Sequence, residues 1–177
     1  MRRFWMALVT ACALFSLHGT AQALMNEPFF EDSFLNFKED AESAADQGKI
    51  LMVFYEQEGC PYCTELHQKT LKDPAVLDYM EQHFYPILVD IFGAREAMGF
   101  DGAPTREKAL SRAQRVHYTP TVVFYGPSGV ELFRLAGFWK PFHFLASMEY
   151  VFEDHHHKMN FQDFIRAKIN AEKSEKK

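Results

Sequence analysis

The sequence predicts an α/β domain, and three observations predict it. Apolar runs of strand length alternate with stretches of helical periodicity. Gly126-Pro127-Ser128-Gly129 joins two further strand-like runs as a hairpin turn. A C-x-x-C pair, Cys60-Pro61-Tyr62-Cys63, stands where a strand gives way to a helix.

Each element has its own signal. Asp32 or Ser33 can cap a first helix running through Phe34, Phe37, Ala41 and Ala45 to a stop at Gly48. Residues 50–55 form a continuous apolar run, as expected of a strand buried on both faces. Pro61 suits the first turn of a helix that continues to about Thr70. Asp73-Pro74 starts a short helix ending near His83, and residues 85–91 form a second apolar strand. A glycine-containing loop over residues 92–104 leads to a helix over about 105–115. Residues 121–125 and 130–135 are the hairpin strands. Residues 141–152 predict a helix packing Phe142, Leu145, Met148 and Val151. A last amphipathic helix from about Met159 carries Phe161, Phe164, Ile165 and Ile169, and the Lys/Glu-rich residues 171–177 are its solvated end.

The first residues are those of a secretory leader. Arg2 and Arg3 precede an apolar stretch over residues 4–17, and Ala21-Gln22-Ala23 supplies the small-x-small cleavage pattern. The stretch is shorter than the ~20 residues that span a bilayer, which argues against a retained anchor. Cleavage after Ala23 takes 23 residues from 177 and leaves 154, beginning at Leu24: enough for one domain with a real core over residues 24–153 and a helical, charged tail over 154–177. The expected fate is export from the cytoplasm. Without the two leader arginines, 17 basic residues face 24 acidic ones, a net charge of −7. That balance argues against nucleic acid or an anionic membrane surface as a partner, since both demand clustered positive charge.

Removing the leader removes Cys12, so Cys60 and Cys63 are the only cysteines of the mature chain. One close pair is not a disulfide framework and closes too small a loop to stabilise much. What remains is redox cycling or a share of a metal site. Cys60, Cys63 and His67 have zinc-like spacing, but no second C-x-x-C supplies a fourth ligand, and His67 is expected on a helix surface. The run His155-His156-His157 is expected in a loop or at a helix end, since consecutive residues on a helix point apart. No metal and no cofactor is expected.

A strand, a C-x-x-C opening a helix, then far downstream Thr119-Pro120 opening a β-hairpin, then Gly137 and another helix resembles the thioredoxin fold over roughly residues 34–152. That resemblance implies a central mixed sheet flanked by helices, here with a C-terminal helical extension. More narrowly, Glu56-Gln57-Glu58-Gly59-Cys60-Pro61-Tyr62-Cys63, Gly93-Ala94-Arg95-Glu96 and Lys140-Pro141-Phe142-His143-Phe144-Leu145 resemble the periplasmic SoxW group of thioredoxin-like proteins, associated with bacterial sulfur oxidation.

The resemblance implies a thiol–disulfide oxidoreductase in which Cys60 and Cys63 are catalytic and form a reversible disulfide. The chemistry agrees: exchange begins with a thiolate, and a helix N-terminus stabilises one at Cys60. Cys60 is then the exposed nucleophile and Cys63, one turn on, the resolving thiol. The resemblance also makes Pro120 a cis residue facing the motif, with Thr119 free to pair with an extended substrate and with Pro61 and Tyr62 on the contact surface. Implied partners are protein disulfides, a membrane-embedded thiol transporter as electron donor, and the sulfur-carrier proteins of thiosulfate oxidation. Thioredoxins themselves carry a buried aspartate where this chain has Phe54, and Glu56 and Glu58 are nearby substitutes that fit equally well as solvated loop charges. An oxidase or isomerase with the same dithiol, and a non-catalytic binding module, are the competing functions.

Overall fold

The computed structural model describes residues 27–175. The leader over residues 1–23, with the expected new N-terminus at Leu24, lies outside the described residues. Four strands form one mixed sheet: β1 (Ile50–Glu56), β2 (Phe84–Asp90), β5 (Thr121–Tyr125) and β6 (Glu131–Ala136), in the order β2-β1-β5-β6. β1 runs parallel to β2 and antiparallel to β5, and β5 pairs antiparallel with β6 across the predicted hairpin turn.

The unbroken apolar run of β1 is explained by its two faces. Leu51, Val53 and Tyr55 enter a core with α1 (Phe37–Asp46) and α4 (Glu107–Ala113). Met52 and Phe54 enter the opposite core, built with Leu66 and Leu71 after α2 (Pro61–Glu65), with α3 (Pro74–His83) and with α5 (Pro141–Phe152). β5 repeats the pattern, with Val123 and Tyr125 on one side and Val122 and Phe124 on the other. α6 (Phe161–Glu175) lays Phe161 and Phe164 against Tyr150 and ends the described chain. On the outer edge of the sheet, Pro86 of β2 needs no donor, and its carbonyl accepts from Glu31 N at 2.8 Å.

Three expectations are corrected. The first helix starts at Phe37 and is capped by Asn36, not by Asp32 or Ser33. Leu35 adopts a left-handed conformation (φ 58°) and its carbonyl accepts from Met98 N, so the chain is held in a bridge to Met98 before it can coil. Phe34 is left 95 % exposed instead of packing. The expected loop over 92–104 contains β3 (Glu96–Met98), which pairs with β4 (Pro104–Arg106) in a small second sheet, and this delays α4 to Glu107. In α5 Met148 and Val151 are buried and Leu145 packs partly buried against the core, as expected, but it is Phe144 rather than Phe142 that is fully buried.

Ser33 has a different use. Its hydroxyl donates to both carboxylate oxygens of Asp40 at 2.9 and 2.8 Å, yet burial still raises the Asp40 pKa to about 6. A raised carboxyl pKa means that the folded state holds its proton more tightly than the unfolded chain. The resulting cost is absent below about pH 4, grows as pH rises towards 6 and is complete at pH 7. Asp40→Asn should therefore stabilise the protein by about 1–2 kcal/mol at pH 7 and change it little at pH 4. Urea unfolding of both proteins at the two pH values measures this, and a gain independent of pH would show that Asp40 carries no such cost.

Candidate active site

β1 delivers the chain to Gly59, whose positive φ of 70° turns it into α2. Cys60 is the N-cap of that helix and Pro61 its first residue. The two cysteines are joined as a disulfide with Cα atoms 5.3 Å apart. Two groups donate to the Cys60 sulfur: the Cys63 amide at 3.1 Å and the Thr119 hydroxyl at 3.3 Å. Such donors favour negative charge on the atom they face. The structure brings Thr119, from the segment before β5, to a sulfur 59 residues away, and the Thr119-Pro120 bond is cis. β5 begins only at Thr121, so Thr119 sits outside the sheet ladder.

Cys60, expected to be open as the attacking sulfur, is 6 % exposed against 4 % for Cys63, so in the disulfide form burial does not separate the two. What separates them is that both donors point at Cys60. Tyr62 is exposed as expected, at 61 %, and Pro61 is exposed beside it. Tyr118, not singled out from the sequence, is still more exposed at 71 % and precedes Thr119, placing an aromatic ring next in sequence to each half of the site.

His67 and Glu56 require the main correction. Neither is a surface group: His67 is fully buried and Glu56 is 1 % exposed. After Glu65 the helix widens into a π-turn over Leu66–Thr70, which carries His67 inward. Its Nε2 is 3.0 Å from Glu56 Oε1, and its Nδ1 lies 3.5 Å from Glu27, a residue of the segment before α1. Glu56 shares its face of β1 with Phe54, one pleat closer to the cysteines. Phe54, at the position of the thioredoxin aspartate, is sealed by Phe30 and Phe144. Glu58 is exposed, as a solvated loop charge would be.

The Gly93-Ala94-Arg95-Glu96 segment also has a structural reason. It wraps the buried carboxylate of Glu107, which accepts from the amides of Asp90 and Arg95 at 3.1 Å and from Arg95 Nε at 2.9 Å. A Cβ at Gly93 would stand 2.1 Å from a Glu107 oxygen, so only glycine fits.

A disulfide at the start of a helix, with a cis proline opening the strand beside β1, is the arrangement of the thioredoxin-fold oxidoreductases. A profile of the thioredoxin-like domain matches residues 37–152, and the chain belongs to that family. Among solved structures it is similar to a thioredoxin-fold protein from Helicobacter pylori, at 21 % identity and a TM-score of 0.61, covering 76 % of this chain and 95 % of that one. A Thermus thermophilus thioredoxin is 29 % identical over 66 % of this chain and 84 % of that one, with a TM-score of 0.52. A putative disulphide-isomerase from Bacteroides thetaiotaomicron is 26 % identical over 68 % and 91 %, with a TM-score of 0.54. No curated protein matches the sequence.

Proposed function

We propose that the protein is an exported thiol–disulfide oxidoreductase that reduces protein disulfides. The observation that carries this reading is the convergence of the Cys63 amide and the Thr119 hydroxyl on the Cys60 sulfur. In the reduced form the Cys60 thiolate attacks one sulfur of a substrate disulfide. A Cys60–substrate bond forms, the substrate's own S–S bond breaks, and the departing sulfur takes up a proton. Cys63 then gives up its proton and attacks Cys60, releasing the second substrate thiol and closing the Cys60–Cys63 disulfide. Two electrons have passed to the substrate, and an outside dithiol must return them. Thr119 offers its backbone to an extended substrate segment, and Tyr62 and Pro61 supply contact area.

Export rests on Arg2-Arg3, the apolar stretch and Ala21-Gln22-Ala23. Among the described residues no helix is long and apolar enough to cross a membrane. The three segments that resemble the SoxW group make a membrane-embedded thiol transporter the electron donor and the sulfur carriers of thiosulfate oxidation the clients. A donor of electrons needs a low potential. Pro61 and Tyr62 put no cation between the cysteines, and Glu58 nearby disfavours a second negative charge. The expected potential is therefore roughly −200 to −270 mV, the glutaredoxin-to-thioredoxin range. Equilibration against glutathione, alongside an insulin-reduction assay, tests this. A potential near the ~−120 mV of a dedicated oxidant would replace the reductase with the oxidase. Client binding that survives loss of both thiols, without insulin reduction, would leave a binding module.

A further inference from the structure

The tri-histidine run is not a disordered tract. α5 ends at Phe152, Asp154 takes a left-handed conformation (φ 63°, ψ 26°), and His155–His157 form one turn of 3-10 helix before α6. Asp tolerates that conformation better than most residues, and the sharp reversal folds its carboxylate back over the histidines that follow. Asp154 Oδ1 lies 3.6 Å from His157 Nε2 and 3.9 Å from His156 Nε2, and one donor atom from each of the three residues falls within 4.8 Å of the others.

The His156 ring supplies a second and separate observation. Its side chain is only 10 % exposed, yet neither ring nitrogen has a hydrogen-bond partner. A buried polar group is ordinarily satisfied, and one left open towards a carboxylate and another imidazole calls for a ligand. Asp154 and His157, at 63 % and 70 % side-chain exposure, leave the site open on its outer side.

We propose that Asp154, His156 and His157 form a binding site for a divalent transition cation of the zinc, nickel and copper(II) type. Two imidazoles and one carboxylate are the donors these ions take. A tetrahedral ion with bonds of about 2.0–2.1 Å holds its donors about 3.4 Å apart, so the two distances to Asp154, 3.6 and 3.9 Å, close with shifts of a few tenths of an ångström, and the separation of the two imidazole donors, within 4.8 Å, closes by rotation of the exposed His157 ring. The fourth position is open to water. His155 is outside the set: it pairs with Glu153 at 3.2 Å and packs on Phe164 of α6 at a ring separation of 4.7 Å. The bound ion therefore staples the corner between α5 and α6, where Tyr150 packs on His156, Phe161 and Phe164.

The test is a calorimetric titration of zinc into the untagged mature protein kept oxidised, so that Cys60 and Cys63 cannot bind the metal. One equivalent should bind saturably. Affinity should fall at least about tenfold in His156→Ala and in the exposed-site variant Asp154→Asn. It should stay within about threefold of the parent in His155→Ala. Zinc should raise the melting temperature of the parent and not that of Asp154→Asn. Absence of saturable binding would overturn the site, and so would a loss in His155→Ala as large as that in His156→Ala.

Discussion

Cys63→Ser is expected to turn the protein into a trap for its own clients. Attack by Cys60 still occurs, because the two groups that donate to its sulfur are the Cys63 backbone amide and the Thr119 hydroxyl, and neither is touched by the substitution. Resolution cannot follow, since a serine hydroxyl does not displace a thiol from a disulfide at neutral pH. Insulin reduction should fall to background while adducts accumulate as mixed disulfides. Cys60→Ser should also lose turnover but accumulate few adducts, because Cys63 has its own amide directed away at its neighbour. Non-reducing electrophoresis of extracts from cells carrying each variant reads the difference. Equal trapping by both variants would remove the assignment of attacking and resolving sulfurs.

The largest stability effect is expected at His67. Truncation to leucine strands the carboxylate of Glu56, 1 % exposed, without the imidazole that meets it at 3.0 Å. Breaking a buried pair from one side costs about 3–5 kcal/mol, whereas removing both partners can be close to neutral. His67→Leu should thus lower the unfolding free energy by about 3–5 kcal/mol, and Glu56→Leu combined with His67→Leu should recover most of it. For a domain of this size the single variant should melt roughly 10 °C lower. Urea melts of the two single variants and the double variant give the coupling directly. A His67→Leu loss below about 1 kcal/mol would mean that Glu56 finds water or another partner.

The sheet and the sulfur site were legible because their signals are local. Strands β1 and β5 are buried on both faces and leave unbroken apolar runs, and a C-x-x-C after such a run has few structural uses. The β3–β4 pair was not legible, because strands of three residues give alternation no room to show. Nor was the cap of α1, where Asn36 wins only because Leu35 is held by Met98, 63 positions downstream. The Glu56–His67 pair was hidden for the same reason. Its members lie on a strand and on a helix, a third member comes from Glu27, and the inward turn of His67 depends on a π-turn that no spacing rule announces. Asp154 and His156 show the converse: the run of three histidines was visible, but which nitrogens are buried and unpartnered depends on a left-handed residue.

The proline in the outer strand has a consequence for self-association. A sheet edge with a full row of donors invites a second chain to add a strand. At β2 the row is interrupted where Pro86 has no N–H, and the carbonyl there is already taken by Glu31. Backbone pairing is thus discouraged at that border of the sheet and left available at Thr119, beside the sulfur. Two copies of the protein are therefore denied one route to sticking together, edge to edge through β2.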